Sequence, residues 1–217
     1  WKGYTNKDGT GFFFEIIQKV YEPAGINLRY EFVPWKRAKS MVLSNKADAK
    51  LSVAQCSKKP ELMPRYPMWV QYTAVVFKKE NIKEWKGLQT LRGKRAIWHL
   101  GYNYNKHNKL KGIELKWDEV DKSHQAWKML ETDRTDIYID VLSDIELYIR
   151  TNHPDMTLYQ IEILWGENSY IAFTNRERSK KFVEIYDKRI IELFKSGELE
   201  KIFKKWGIRY SPDAWEN

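Results

Sequence analysis

A single cysteine, Cys56, stands in the 217 residues, so an internal disulfide is excluded. The redox compartment is not thereby fixed, because many secreted domains of this size fold without bridges. No apolar run approaches the roughly 20 residues needed to span a bilayer. Internal repeats, low-complexity tracts and Ser/Gly-rich linkers are missing as well. The opening "WKGYTNKDG" lacks the basic-then-apolar pattern of a signal peptide, so any targeting segment is expected to have been removed ahead of it.

The usual catalytic and cofactor signatures are equally scarce. "GLQTLRGKR", Gly87 to Arg95, places five residues between its glycines, and no Ser or Thr follows Lys94. That breaks the phosphate-loop pattern. "GTG" at Gly9–Gly11 opens a helical pattern with no strand before it, so a tight turn explains it better than a dinucleotide fingerprint. The four histidines, His99, His107, His124 and His153, show neither HExxH nor i,i+4 pairing, and no metal site or cofactor is expected. A G-x-S-x-G elbow is absent. Cys56 follows an apolar run and has Lys58 nearby, but packing accounts for a lone cysteine more simply than catalysis does.

What the chain has is charge and aromatic area. The net charge of +9 raises a nucleic-acid reading. The acids, however, are interleaved with the bases: Glu177, Glu184, Asp187, Glu192, Glu198 and Glu200 break up the lysines and arginines of the C-terminal region. A solvated, ion-paired helix face has that pattern, and a phosphate-tracking stripe does not. No specific nucleic-acid partner is expected, although a mild bias towards anionic ligands survives. Aromatics at 15% exceed what the core needs, so some are expected to grip the apolar or planar parts of a ligand.

Periodicity alternates along the chain. Helical spacing in "GFFFEIIQKVYEPAGI" stops at Pro23 and Gly25. "LRYEFVP" alternates as a strand, "WKRAKSMVLSNKAD" reads as a helix, and "AKLSVAQ" as a strand. A second set follows: strand "RAIWH", a helix from about Tyr102, strand "IELKW", helix "SHQAWKMLETD", strand "DIYID", helix "SDIELYIRTN" and strand "TLYQIEI". Two further apolar strands, "YTAVVFKK" and "SYIAFTN", stand apart, and helices close the chain. The pattern predicts an α/β fold of two lobes with mainly parallel sheets flanked by helices. Lobe 1 is assigned residues 1–77 and 169–217, and lobe 2, inserted, residues 78–168. Two strand crossings form a hinge, and a ligand cleft is expected between the lobes.

Several residues are candidates for ligand contact. Asp140 ends the strand "DIYID", where α/β folds present polar groups; capping of the following helix fits it equally well. In "PWKRA", Arg37 offers a planar fork to a carboxylate and Trp35 a flat wall; a surface arginine beside a core tryptophan is the alternative. "QCSKKPELMPRYP", residues 55–67, sets Lys58, Lys59 and Arg65 among three prolines. It reads as a loop or edge, either solvated or serving as a rim for an anion.

In order, the segments "WKGY…GTGFFFEII", "FVPWKRAKSMVLSNKADAKLSV", "ELMPRYPMWVQYTAVVF", "LQTLRGKRAIWHLGYNY", "DRTDIYIDVLSDIELYI", "SYIAFT" and "GELEKIFKKWG" resemble the family 3 extracellular solute-binding proteins. That bacterial group includes the polar amino-acid receptors of ABC importers. The resemblance implies the type II periplasmic-binding-protein fold. It brings Tyr4, Trp35, Arg37, Trp69 and Tyr72 to the cleft from the first lobe. From the second come Tyr102 and Asn103, whose turn offers backbone donors to an anion, and Asp140, matched to the acid that pairs with a ligand ammonium. Two departures stand out. Where amino-acid receptors carry a carboxylate-binding arginine, this chain has Pro60 or Leu62, leaving Lys58, Lys59, Arg65 or Arg37 to substitute. The family's first strand should precede Trp1 and is not in the sequence.

These readings imply a monomeric, periplasmic or extracellular protein that closes over a small polar solute, amino-acid-like or anionic, for an ABC-type permease. A ligand-sensing domain of a membrane signalling protein is the alternative. A dehydratase on the same fold ranks below both, since no acid–base pair can be nominated, and no enzymatic activity is expected.

Overall fold

The structure, a computed structural model, describes residues 3–54 and 60–216. The chain divides into two compact units, the first of residues Trp1–Val70 and Glu167–Asn217, the second of Gln71–Gly166. Both passages between them fall inside strands, β2 (Trp69–Lys78) and β6 (Tyr159–Phe173). The division read from the sequence, at 77/78 and 168/169, falls in the same two strands.

In the first unit, α1 (Phe12–Tyr21) buries Phe12, Phe13, Ile16, Ile17 and Val20. This is the i, i+1, i+4, i+5 stripe of an amphipathic helix. It packs against α5 (Glu177–Lys195) and α6 (Glu198–Trp206). Phe12 meets Phe203 edge-to-face at 4.7 Å, and the Tyr21 hydroxyl donates to the Phe182 carbonyl at 3.0 Å. The helix α2 (Trp35–Leu43) packs on β1 (Ala49–Ala54). β1 pairs antiparallel with the end of β6, and a register shift between Lys50 and Val53 accompanies Ser52 at φ +57°. That is a bulge, which re-aims the side chains beyond it.

The expected strand "LRYEFVP" does not form among the described residues, which run without ladder partners from residue 26 to 34. Its alternation has another cause: Tyr30 stacks on Phe14 at 4.0 Å and Phe32 meets the same ring at 5.9 Å. Tyr30 and Phe32, two positions apart, both reach the Phe14 ring of α1, and no neighbouring strand is required for that alternation.

In the second unit, β3 (Arg95–His99) lies between β4 (Lys116–Val120) and β5 (Ile137–Val141), parallel to both. β5 pairs antiparallel with β2. The period of two sorts the strands onto two faces. Val75, Phe77, Ala96, Trp98, Ile137 and Ile139 share one core, and Ala74, Val76, Ile97 and Tyr138 share the other. The second core is completed by Trp127 and Leu130 of α3 (Ser123–Glu131) and Ile145 of α4 (Leu142–Asn152). The helix expected from Tyr102 resolves into two three-residue 3-10 turns, Tyr104–Lys106 and Asn108–Leu110. The strand read as "IELKW" starts three residues later, because the ladder pairs Arg95 with Lys116. "TLYQIEI" and "SYIAFTN" join into the single strand β6.

The "GTG" turn has a steric purpose. Gly11 caps α1 at φ +135°, and a Cβ there would stand 2.6 Å from the Tyr4 carbonyl carbon. The same backbone accepts the Phe13 amide through the Tyr4 carbonyl at 3.1 Å. Gly11→Ala is therefore expected to destabilise the protein by about 2–3 kcal/mol, through overpacking against backbone plus a left-handed φ. Urea unfolding of the variant would measure it, and a loss under about 0.5 kcal/mol, the ordinary surface value, would contradict the assignment.

Candidate functional site

The C-terminal ends of β3 and β5 bring a polar cluster together in the second unit. Residues 97 and 99 of β3, and 138 and 140 of β5, share a face by strand alternation. That face places His99 beside Asp140. Asp140 is fully buried. Its Oδ1 accepts the Val141 amide at 2.8 Å, and its Oδ2 accepts a short hydrogen bond from the Tyr138 hydroxyl. His99 Nε2 stands 3.3 Å from Asp140 Oδ2 and 3.2 Å from Ser123 Oγ. The hydrogen bond to Asp140 lifts the imidazole above its ordinary 6.5, against burial, with the charges of Asp140 and Asp144 and a backbone hydrogen bond at Asp121 adding to it. Burial, together with the Asp140 charge, pushes the Tyr138, Tyr102 and Tyr104 hydroxyls up.

Serine, histidine and aspartate side by side suggest a nucleophilic triad, and the atoms argue against one. Ser123 and Asp140 both meet Nε2. A triad needs the serine on one ring nitrogen, which takes its proton, and the carboxylate on the other, which orients the ring and stabilises the imidazolium that forms. The arrangement is a histidine–carboxylate contact, an ion pair when the imidazole is protonated, with a hydroxyl beside it.

Of the residues expected in the second unit, Tyr102 is 44% exposed, with its ring 5.4 Å from that of His99. Asn103 takes a left-handed φ of +53° and donates from Nδ2 to the Gly101 carbonyl at 2.7 Å. The turn expected to offer its amides to an anion uses three of them internally. Leu100 donates to the Val120 carbonyl, Gly101 to Glu119 Oε1 and Tyr102 to the His99 carbonyl. Tyr72 lies on β2 within the second unit rather than the first.

In the first unit, Tyr4 and Trp69 are brought together, but in the core: their rings are 5.3 Å apart, and both are buried against Phe12 and Phe13. Trp35 and Arg37 open α2 and are exposed, with Trp35 54% accessible. Lys58 and Lys59 lie outside the described residues. Arg65 is exposed, its guanidinium 5.2 Å from the Tyr66 ring, and its amide donates to Asp187 Oδ1 on α5 at 2.9 Å.

Sequence reasoning missed His99, Tyr138 and Ser123, and also a buried ion pair. Lys50 Nζ meets Glu61 Oε1 at 2.6 Å with side chains 4% and 1% exposed. The lysine also stands 5.5 Å from the centre of the Trp35 ring. Leu62, next to Glu61, exchanges two backbone hydrogen bonds with Phe173. The ion pair therefore ties the segment after residue 60 to β1. The i, i+2 spacing of Tyr138 and Asp140 was a usable signal; nothing local points from residue 50 to 61.

The sequence matches the bacterial extracellular solute-binding proteins, family 3, over residues 2–209. The chain belongs to that family, and the landmark segments had pointed there. A "Probable amino-acid ABC transporter-binding protein" of Haemophilus influenzae is 22% identical over 201 residues, covering 91% of this chain and 76% of that protein. Among solved structures, an ancestral arginine-binding protein bound to arginine aligns with a TM-score of 0.68 at 21% identity, over 95% of this chain and 93% of that one. A histidine kinase sensor domain similar to periplasmic binding proteins aligns with a TM-score of 0.70 at 16% identity, over 95% and 91%. These likenesses bear out the α/β, type II periplasmic-binding-protein class.

Two outcomes follow from the geometry. Glu61→Ala leaves Lys50 buried without its partner and is expected to cost about 3–5 kcal/mol, whereas Lys50→Met with Glu61→Leu is expected to be near neutral; denaturant unfolding of both distinguishes them. For His99, the raised value in the fold means its contribution to stability is complete below its ordinary 6.5 and is lost as pH rises through the raised value. Unfolding free energy should thus fall over that interval in the wild type, and fall less in His99→Gln.

Proposed function

We propose that this chain is an extracytoplasmic receptor that binds a small polar solute, amino-acid-like or anionic, and presents it to an ABC-type importer. The observation that carries this is the family match across residues 2–209, which leaves little of the chain for another task. The relative from Haemophilus influenzae, named as an amino-acid transporter-binding protein, supports the choice of solute class. Exposed Trp35 and Tyr102 supply planar surfaces for contact, and exposed Arg37 supplies a forked donor for a carboxylate. Binding is the whole task and requires no chemical step.

A second reading is favoured by the histidine kinase sensor domain among the structural neighbours: the same binding unit serving a membrane signalling protein. Uptake of a radiolabelled solute, measured with and without the gene, separates the two, since a sensor leaves transport intact.

The receptor reading is tested by thermal shift and calorimetry with the L-amino acids and small carboxylic acids. At least one is expected to raise the melting temperature, with a Kd in the micromolar range or below and an affinity that falls about tenfold or more in Tyr102→Ala. A panel with no binder would overturn it.

A further inference from the structure

A strand at the end of a sheet presents unpaired backbone groups, and proteins usually blunt such an edge with charge or cover it. In the second unit the ladder runs β2, β5, β3, β4, so β4 stands at its end among the described residues. The Lys116 amide donates to the Lys94 carbonyl at 3.0 Å, and the Glu114 and Val120 carbonyls accept the Gly93 and Leu100 amides at 2.7 and 2.9 Å. Backbone groups of a strand alternate between its two edges. Residues 114, 116, 118 and 120 therefore serve β3, and residues 115, 117 and 119 turn theirs outward. The edge is open over Lys116, Trp117 and Asp118, all of them exposed. One face of the Trp117 indole lies on Trp98 at 5.3 Å, and the ring remains 48% accessible. Neither Lys116 nor Asp118 forms an ion pair among the described residues; Asp118 Oδ1 accepts the Glu119 amide at 2.8 Å.

We propose that β4 pairs antiparallel with β4 of a second copy of this chain, about a two-fold axis through Trp117. That register sets Lys116 opposite Asp118 twice, Trp117 opposite Trp117 and Glu119 opposite Leu115, with no like charges facing each other. An edge carrying only lysines repels a second copy. A cation and an anion placed symmetrically about an aromatic side chain attract one, because a two-fold axis brings each to the other. The outward amide and carbonyl of Trp117 bond their own counterparts across the axis. As Asp118 turns to Lys116 of the second copy, it releases the Glu119 amide to the Leu115 carbonyl of that copy. The edge is short and buries less than the roughly 1,200 Å² of a standard interface, so the association is reversible, with a Kd of about 10–1,000 μM. Such a dimer departs from the monomer expected from the sequence, and it does not depend on which solute the protein binds.

Analytical ultracentrifugation of the whole chain, from about 10 μM to about 1 mM at about 50 mM salt, measures the association with little screening. The wild type is expected to pass from monomer to dimer within that range. Lys116→Glu sets a carboxylate opposite Asp118, and Asp118→Lys sets an ammonium opposite Lys116; each is expected to weaken dimerisation by about tenfold or more. The double variant Lys116→Glu with Asp118→Lys rebuilds both pairs with their signs exchanged. An equimolar mixture of the two single variants rebuilds them across the axis, one pair of each sense. Both are expected to recover dimerisation to within about threefold of wild type. A wild type that stays monomeric at the highest concentration would overturn the proposal, leaving the edge bare or open to a strand of another protein. Dimers indifferent to the single changes would overturn it by placing the contact on another surface. Failure of the double variant or of the mixture to recover would overturn the register, and the proposal with it.

Discussion

One buried negative charge sets the terms for the second unit. Asp140 is the fourth residue of a five-residue strand that is buried along its whole length, and its carboxylate has to be satisfied within the packed face formed by β3, β5, α3 and α4. The strand's own geometry supplies two hydrogen bonds, from Tyr138 two residues back and Val141 one residue on. The parallel pairing of β3 with β5 supplies the third group, because His99 then stands at the same end of the sheet. Register, alternation and charge compensation are therefore one constraint. A slip of one residue in β3 would turn His99 to the opposite face and strand the carboxylate.

The fold class was legible in the sequence because its signals are local. Near-continuous apolar runs such as "RAIWH" and "DIYID" belong to strands covered on both faces, and the stripe in α1 fixes which side of that helix is buried. The errors share a cause. "LRYEFVP" has the alternation of a strand, but alternation reports that side chains take turns facing a surface; Phe14 is that surface, and no ladder is implied. The turn after His99 carries a helix-like pattern, yet it breaks into 3-10 segments at the left-handed Asn103 and the extended His107.

The candidate site was less legible, and the reason is again physical. Tyr4 and Trp69 have the composition of ligand-gripping aromatics, and the same composition packs them, buried, against Phe12 and Phe13. Asp140 was identifiable from its place at a strand end, but whether a buried acid is available depends on what comes to it in space, and His99 is 41 positions away by number. The proline-rich segment shows the same limit. Arg65 was a candidate for an anion; its backbone amide is held by Asp187 while its guanidinium stays exposed beside the Tyr66 ring, and Glu61 in the same segment is paired with Lys50. A run of charges on a loop says little until its partners, drawn from β1 and α5, are known.

The division of the chain also orders its biogenesis. The second unit is one uninterrupted segment, Gln71–Gly166, whereas the first is assembled from both ends of the chain. During synthesis the apolar stripe of α1 is made well before α5 and α6, the helices that cover it. The inserted unit can complete its sheet while Phe12, Phe13 and Ile16 still await their partners. Between the synthesis of α1 and that of α5 and α6, the nascent chain carries Phe12, Phe13 and Ile16 without the helices that bury them, an interval open to misassociation.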